Sequence, residues 1–179
     1  MKDFIELMNA RQSCRDYDGS QVTKEELDKC LEAARLAPSA CNSQPWRFVV
    51  VTNPELRDKL IAHFQTFNAN GWATKAPVLI AICEEESPHV MRGVFERWGC
   101  KRFAEGDVGA AAAMLTLEAA ELGLGSCLMG MFDNEEAKKL LNVPAGETVR
   151  VFVALGRPTD PTVRPKNRKP LAELTRYID

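Results

Sequence analysis

The seven residues Pro77-Val78-Leu79-Ile80-Ala81-Ile82-Cys83 contain no polar side chain. A strand alternates its side chains between two faces, so this run predicts a central strand apolar on both. Layers are then needed above and below it. Trp46 to Thr52, Ser126 to Met131 and Thr148 to Leu155 are rich in β-branched, aromatic or apolar residues and read as three further strands. Helix signals lie between them. Residues 2–10 form an amphipathic pattern. Thr23 and Glu26 make a capping box, followed by Leu27, Cys30, Leu31 and Ala34 at helical spacing. Asn53-Pro54 starts a helix to about Thr66, and Asp107 opens an alanine-rich one from Val108 to about Leu122, ended by Gly123. Asp133 and Glu136 cap another that leads to Leu140 and Leu141, and a short one follows Pro170. Residues 86–104 read as a helix or a mobile segment. The order predicts a layered α+β or α/β domain spanning 1–179, without linker or repeat. The last residues, from about 159, have no place in a compact monomer and read as an arm that embraces a second subunit.

The net charge of -2 over 179 residues gives no field that would favour nucleic acid or an anionic membrane. Met1 leads into the charged run Lys2 to Leu7, and the apolar runs fall short of the ~20 residues of a membrane-spanning helix. A cytoplasmic protein is expected. The six cysteines include no C-x-x-C pair, so they read mostly as free thiols rather than zinc or iron–sulfur ligands. His63 and His89 have no partner at metal-binding spacing, and no G-x-S-x-G occurs, so zinc and triad hydrolysis are poorly supported. Glu84-Glu85-Glu86 reads as a solvated strand end. Trp98 and Phe103 read as core residues, with an acceptor pocket as the alternative.

Two segments carry chemistry. Arg11, Ser13 and Arg15 alternate, so extended backbone would turn two guanidiniums and a hydroxyl to one side. A solvated turn with surface arginines remains open. The loop Pro38-Ser39-Ala40-Cys41-Asn42-Ser43-Gln44-Pro45 is bracketed by prolines and offers fixed donors and acceptors, or it is a connector satisfying its own backbone. Gly123-Leu124-Gly125 is not a dinucleotide fingerprint: the third glycine position is Leu128, and the glycines follow a helix rather than a strand. Lys166, Arg168 and Lys169 form a basic cluster that gains meaning only if the tail folds back toward Arg11 and Arg15.

Taken in register, R-x-S-x-R at 11–15, P-S-A-x-N-x-Q-P-W at 38–46, the block from Asp107 to Phe132, L-G-R-P at 155–158 and R-P-K-N-R-K-P at 164–170 resemble the short members of the FMN-dependent nitroreductase family. The resemblance covers nearly the whole chain. It implies a three-layer α+β domain with a central mixed sheet of four to five strands around a long apolar helix. It also implies a homodimer with an exchanged C-terminal arm and FMN at the interface. Arg11, Ser13 and Arg15, with Gln12 among them, would hold the phosphate, ribityl chain and pyrimidine edge. Pro38, Ser39, Ala40 and Asn42 would come from the other subunit, with Gln44 in support. The backbone of Leu128, Met129 and Gly130 would face the flavin, and Lys166 and Arg168 would close on the phosphate. Asn68, with Asn70 competing, would reach the ring. The implied activity is ping-pong transfer from NADH or NADPH through FMN to a nitroaromatic, quinone or similar small acceptor, with no catalytic side chain. Arg15 would support the reduced flavin. A flavin-binding protein or sensor without turnover, or an oxidoreductase dedicated to one specialised substrate, stays open. The chain departs from larger members at Leu128-Met129-Gly130-Met131, where they carry P-x-E-G, and at Cys14, where an apolar residue is usual.

Overall fold

The computed structural model describes residues 3–64, 70–85, 92–99 and 101–178. Four strands form one sheet: β1 (Trp46–Val51), β2 (Val78–Glu84), β3 (Gly125–Met129) and β4 (Thr148–Gly156), in the order β1-β2-β4-β3. Every neighbouring pair is antiparallel. The expected mixed sheet is therefore corrected to an antiparallel one. An unbroken apolar run reports burial on two faces and says nothing of strand direction.

The helices are α1 (Phe4–Ala10), α2 (Lys24–Arg35), α3 (Pro54–Ala62), α4 (Arg92–Trp98), α5 (Lys101–Glu121), α6 (Asn134–Leu141) and α7 (Leu171–Leu174). Of these, α2 and α5 cover one face of the sheet and α3 and α6 the other. Val78, Ile80 and Ile82 of β2 pack toward α2 and α5, against Leu27, Cys30, Ala34, Val108, Ala111 and Leu115. Leu79, Ala81 and Cys83 face the other way, toward Leu60, Ile61 and Phe64 at α3 and Ala137 of α6. Each fully buried leucine or isoleucine contributes about 1.5–3 kcal/mol, so the two faces of β2 anchor both layers. None of the described helices is long and apolar enough to cross a membrane.

The local signals act as read in several places. Thr23 and Glu26 complete their capping box, and Asn53 and Asp133 accept from the first turns of α3 and α6. Gly123, at φ +75°, ends α5 with Leu124 N–H donating to Ala119 O at 2.7 Å and Gly123 N–H to Ala120 O at 3.2 Å. That is the paired bonding of a Schellman motif.

Other expectations need correction. α5 begins at Lys101 and runs through Asp107, whose carboxylate is used elsewhere in the fold. α3 ends at Ala62 rather than near Thr66. Trp98 is 46% exposed, with the Arg97 guanidinium 4.7 Å from its ring centroid, so it is not a core residue. Glu84 is no solvated strand end: it is 6% exposed and paired to Arg150, which also reaches Glu105 at 3.2 Å. A buried carboxylate persists only with such a partner. Glu85 pairs with Arg47 at 2.9 Å, and Glu86 lies outside the described residues.

Candidate functional site

Residues 11–15 are extended along β3. Ser13 bridges Ser126 in parallel, and Cys14 N–H donates to Ser126 O at 2.9 Å. The approach is close because Gly125 has no side chain: a Cβ there would stand 2.7 Å from Cys14 Cβ and Sγ. The Cys127 thiol, pushed up by burial, is pulled back by Arg15, by a hydrogen bond with Ser13 and by Arg11. Arg11, Ser13 and Arg15 all line the groove beside Gly125 and Ser126, and the Gln12 amide bonds Thr162 and Arg164 of the tail.

The tail does fold back. Lys166 Nζ donates to Arg11 O. Arg164 Nη2 donates to Ser13 O at 2.6 Å, and its Nε to Gln12 Oε1 at 3.0 Å. The Lys166 ammonium is held below its ordinary pKa, first by partial desolvation and then by Arg11, Arg168 and Arg164. Arg11, Lys166 and Arg168 line a cavity of about 400 Å³ whose other walls are Met8, Asn9, Ala113, Thr116, Leu117 and Leu128. Among the described residues, no carboxylate lines it. Gathered cations without a counter-charge, beside apolar walls, suit a ligand with an anionic end and a flat apolar body. A neighbouring cavity of about 500 Å³ runs along Gln12, Ser13, Arg15 and Gly125.

The strand end below is half open. Leu128 is 44% exposed and Gly130 is exposed, whereas Met129 is 3% exposed and packs into the α3–α6 side of the core. The backbone at 128–130 is therefore presented at the surface by a side chain anchored beneath it.

The loop 38–45 is built differently. Ala40 to Asn42 form one 3₁₀ turn, and Cys41, Asn42 and Gln44 have φ of 52°, 52° and 50°. Left-handed backbone is strained for cysteine and glutamine and milder for asparagine. Side chains hold it: Ser39 Oγ accepts from Gln44 N–H at 3.0 Å, and Gln44 Nε2 donates to Asn42 O at 3.1 Å. Asp107 of α5 accepts from Ala40 N–H at 3.1 Å. Pro38, Cys41, Asn42 and Gln44 are exposed. Neither cavity lined by Arg11 includes a residue of this loop.

The structure thus brings Arg11, Ser13, Arg15, Leu128, Lys166 and Arg168 into one region and sets Pro38, Ser39, Ala40, Asn42 and Gln44 apart. Asn68 lies outside the described residues. Asn70 is buried, and its Nδ2 donates to Phe64 O at 3.0 Å. Sequence reasoning missed Asp107 as a loop anchor and Arg164 as a tail anchor. Asp107 gave a signal, but an acidic residue before an alanine run looks like a helix cap.

The sequence profile described as Nitroreductase family matches residues 8–75 and 62–157. A protein of Archaeoglobus fulgidus, provisionally named NADH dehydrogenase/NAD(P)H nitroreductase, is 32% identical over 164 residues, covering 89% of this chain and 88% of its own length. The crystal structure of a nitroreductase family protein from Clostridium difficile matches with a TM-score of 0.81 at 28% identity, over 98% of each chain. The fold is also that of a BluB-like flavoprotein from Clostridium difficile, with a TM-score of 0.84 at 23% identity over 100% of both chains.

Proposed function

This chain belongs to the nitroreductase family, and on that premise we propose that it is an FMN-dependent NAD(P)H oxidoreductase acting on a small acceptor such as a nitroaromatic or a quinone. The observation that carries this reading is the cation-lined, carboxylate-free cavity between Arg11, Lys166 and Arg168. Its donors suit a phosphate monoester, and the apolar Leu128, Met8 and Leu117 beside it suit a ring system. The names of the relatives, which include an NAD(P)H nitroreductase and a flavoprotein, support the same class.

In this reading Arg11, Lys166 and Arg168 bind the phosphate. Ser13 and Arg15 hold the ribityl chain and pyrimidine edge. Arg15, exposed and free to approach, supplies positive charge where the pyrimidine carries negative charge. The backbone of Leu128, Met129 and Gly130 lies against the ring. FMN, when bound, supplies two-electron redox chemistry between a reduced nicotinamide and the acceptor, so no nucleophile is required of the chain. The protein's part is to bind, orient and exclude water.

A second copy of the chain completes the site. Pro38, Ser39, Ala40 and Asn42 are set apart from the Arg11 cavities within one chain and reach the partner's flavin, with Gln44 bracing them from behind. The apolar surface needed for such a dimer is present: Phe4 (62%), Ile5 (60%), Leu171 (74%), Tyr177 (85%) and Ile178 (83%) are exposed. The test is the absorption spectrum of the purified protein. A flavin spectrum bleached anaerobically by NADH or NADPH, and restored by a quinone or nitroaromatic, is expected. A colourless protein that cannot be reconstituted with FMN overturns the reading.

A further inference from the structure

We infer that Gln12 is a positioning residue: its side-chain amide latches the tail onto the arginine-bearing strand and so aligns Lys166 and Arg168 with Arg11. The inference rests on the FMN reading for its consequence, though not for its geometry. Gln12 Nε2 donates to Thr162 O at 2.8 Å. Gln12 Oε1 accepts from Arg164 N–H at 3.1 Å and from Arg164 Nε at 3.0 Å. One amide thus binds two residues of the tail, and Arg164 returns a bond to the next residue, Ser13 O, at 2.6 Å. These contacts join segments 150 to 152 residues apart in sequence.

The chemistry required at position 12 is narrow. The tail presents a carbonyl at 162 and two N–H donors at 164, so the matching group must both donate and accept. A carboxylate would accept without donating and would place a negative charge beside the cation cluster. A lysine would donate without accepting and add to the repulsion that already depresses Lys166. The neutral amide satisfies both ends and leaves the positive charge of the cavity intact. That charge is what makes the latch necessary. Lys166 stands among Arg11, Arg164 and Arg168, so like charges work against the docked tail. Gln12 holds the tail in register, so the site meets its ligand already assembled.

The test compares the wild-type chain with Gln12→Met, which keeps the length of the side chain and loses its hydrogen bonds. Two measurements are made. Limited trypsin digestion of the flavin-free protein reads tail docking through cleavage after Lys166 and Arg168. Fluorescence titration with FMN and with riboflavin separates phosphate binding from ring binding. In Gln12→Met, tail cleavage is expected to accelerate about tenfold, and FMN affinity to fall about tenfold, with riboflavin affinity unchanged. In an Arg164→Ala background, Gln12→Met adds little further to the FMN loss. Unchanged cleavage in Gln12→Met overturns the latch, as does an equal loss of FMN and riboflavin, which would place Gln12 directly on the ring or ribityl chain. If the wild-type protein binds no flavin, the proposed function falls while the digestion still decides the latch.

Discussion

Residues 11–15 lie extended beside β3, tied by backbone to the Ser126 carbonyl on one side and through side chains to the tail on the other. Residues 40–44 carry three positive φ angles and take their support from the side chains of Ser39, Gln44 and Asp107. The first half of the candidate site is relaxed in conformation but loaded with like charge. The second is nearly free of charge but strained in conformation. Each half stores unfavourable energy in a different form, and a bound anion relieves only the first. The strand half should therefore respond to ligand and pH, and the loop half to substitution.

The largest effect is expected from removing charge. Replacing Arg11 and Arg168 together by alanine should weaken FMN binding by at least about 100-fold, since each charge-assisted hydrogen bond is worth about 1.5–3 kcal/mol. Fluorescence quenching of FMN measures it, and undiminished affinity would reject the phosphate role of both residues. The loop anchor comes next. Asp107→Ala should lower stability by about 1–2 kcal/mol in urea denaturation, because the half-buried Ala40 N–H loses its acceptor. Asp107→Asn retains an acceptor oxygen and should recover most of that loss; equal damage from both variants would break the distinction.

The strand half should also answer to anions. Inorganic phosphate at ten times its dissociation constant should stabilise the flavin-free protein by about 1.4 kcal/mol, seen as a raised melting temperature that Arg168→Ala abolishes. The sign with pH follows from Lys166, whose folded pKa lies below that of the unfolded chain. At neutral pH the native state bears the full cost of a charged Lys166, from partial desolvation first and then from Arg11, Arg168 and Arg164. As pH rises through the folded pKa toward the ordinary lysine value of 10.5, the unfolded chain holds the extra proton, so stability rises as the Lys166 penalty is relieved. Lys166→Met should flatten that rise, and saturating phosphate should diminish it. The smallest effect belongs to the strained backbone. Cys41→Gly, at φ 52°, should stabilise by roughly 0.5–1 kcal/mol, and a melting temperature that falls instead would show the loop to be unstrained.

Where structure is set by local chemistry, the sequence was readable. The capping box at Thr23 and Glu26, the cap at Asn53 and the glycine stop at 123 act over a few residues and were visible as such. β2 was visible because burial on two faces leaves no polar residue. Several of the readings that the fold changes share one cause, a polar side chain recruited across the fold. Asp107 looks like a helix start because helices do begin with aspartate, yet its partner is Ala40. Glu84 looks solvated beside Glu85 and Glu86 until Arg150 arrives from β4. Gln12 looks like part of a ligand-binding motif, and its partners are Thr162 and Arg164. Sequence separations of 66 to 152 residues hide such pairs from any window-based reading.

The bond between Gln12 and Arg164 also has a consequence in time. A ribosome adds about 5–20 residues each second, so Gln12 waits roughly 8 to 30 s for a partner 152 residues behind it. In the later half of that interval, once β2 is made, β1 and β2 can pair while the basic tail is still unmade. The nascent chain therefore has paired strands before it has its cation cluster, and under the proposed function cofactor capture would fall among the last events of its biogenesis.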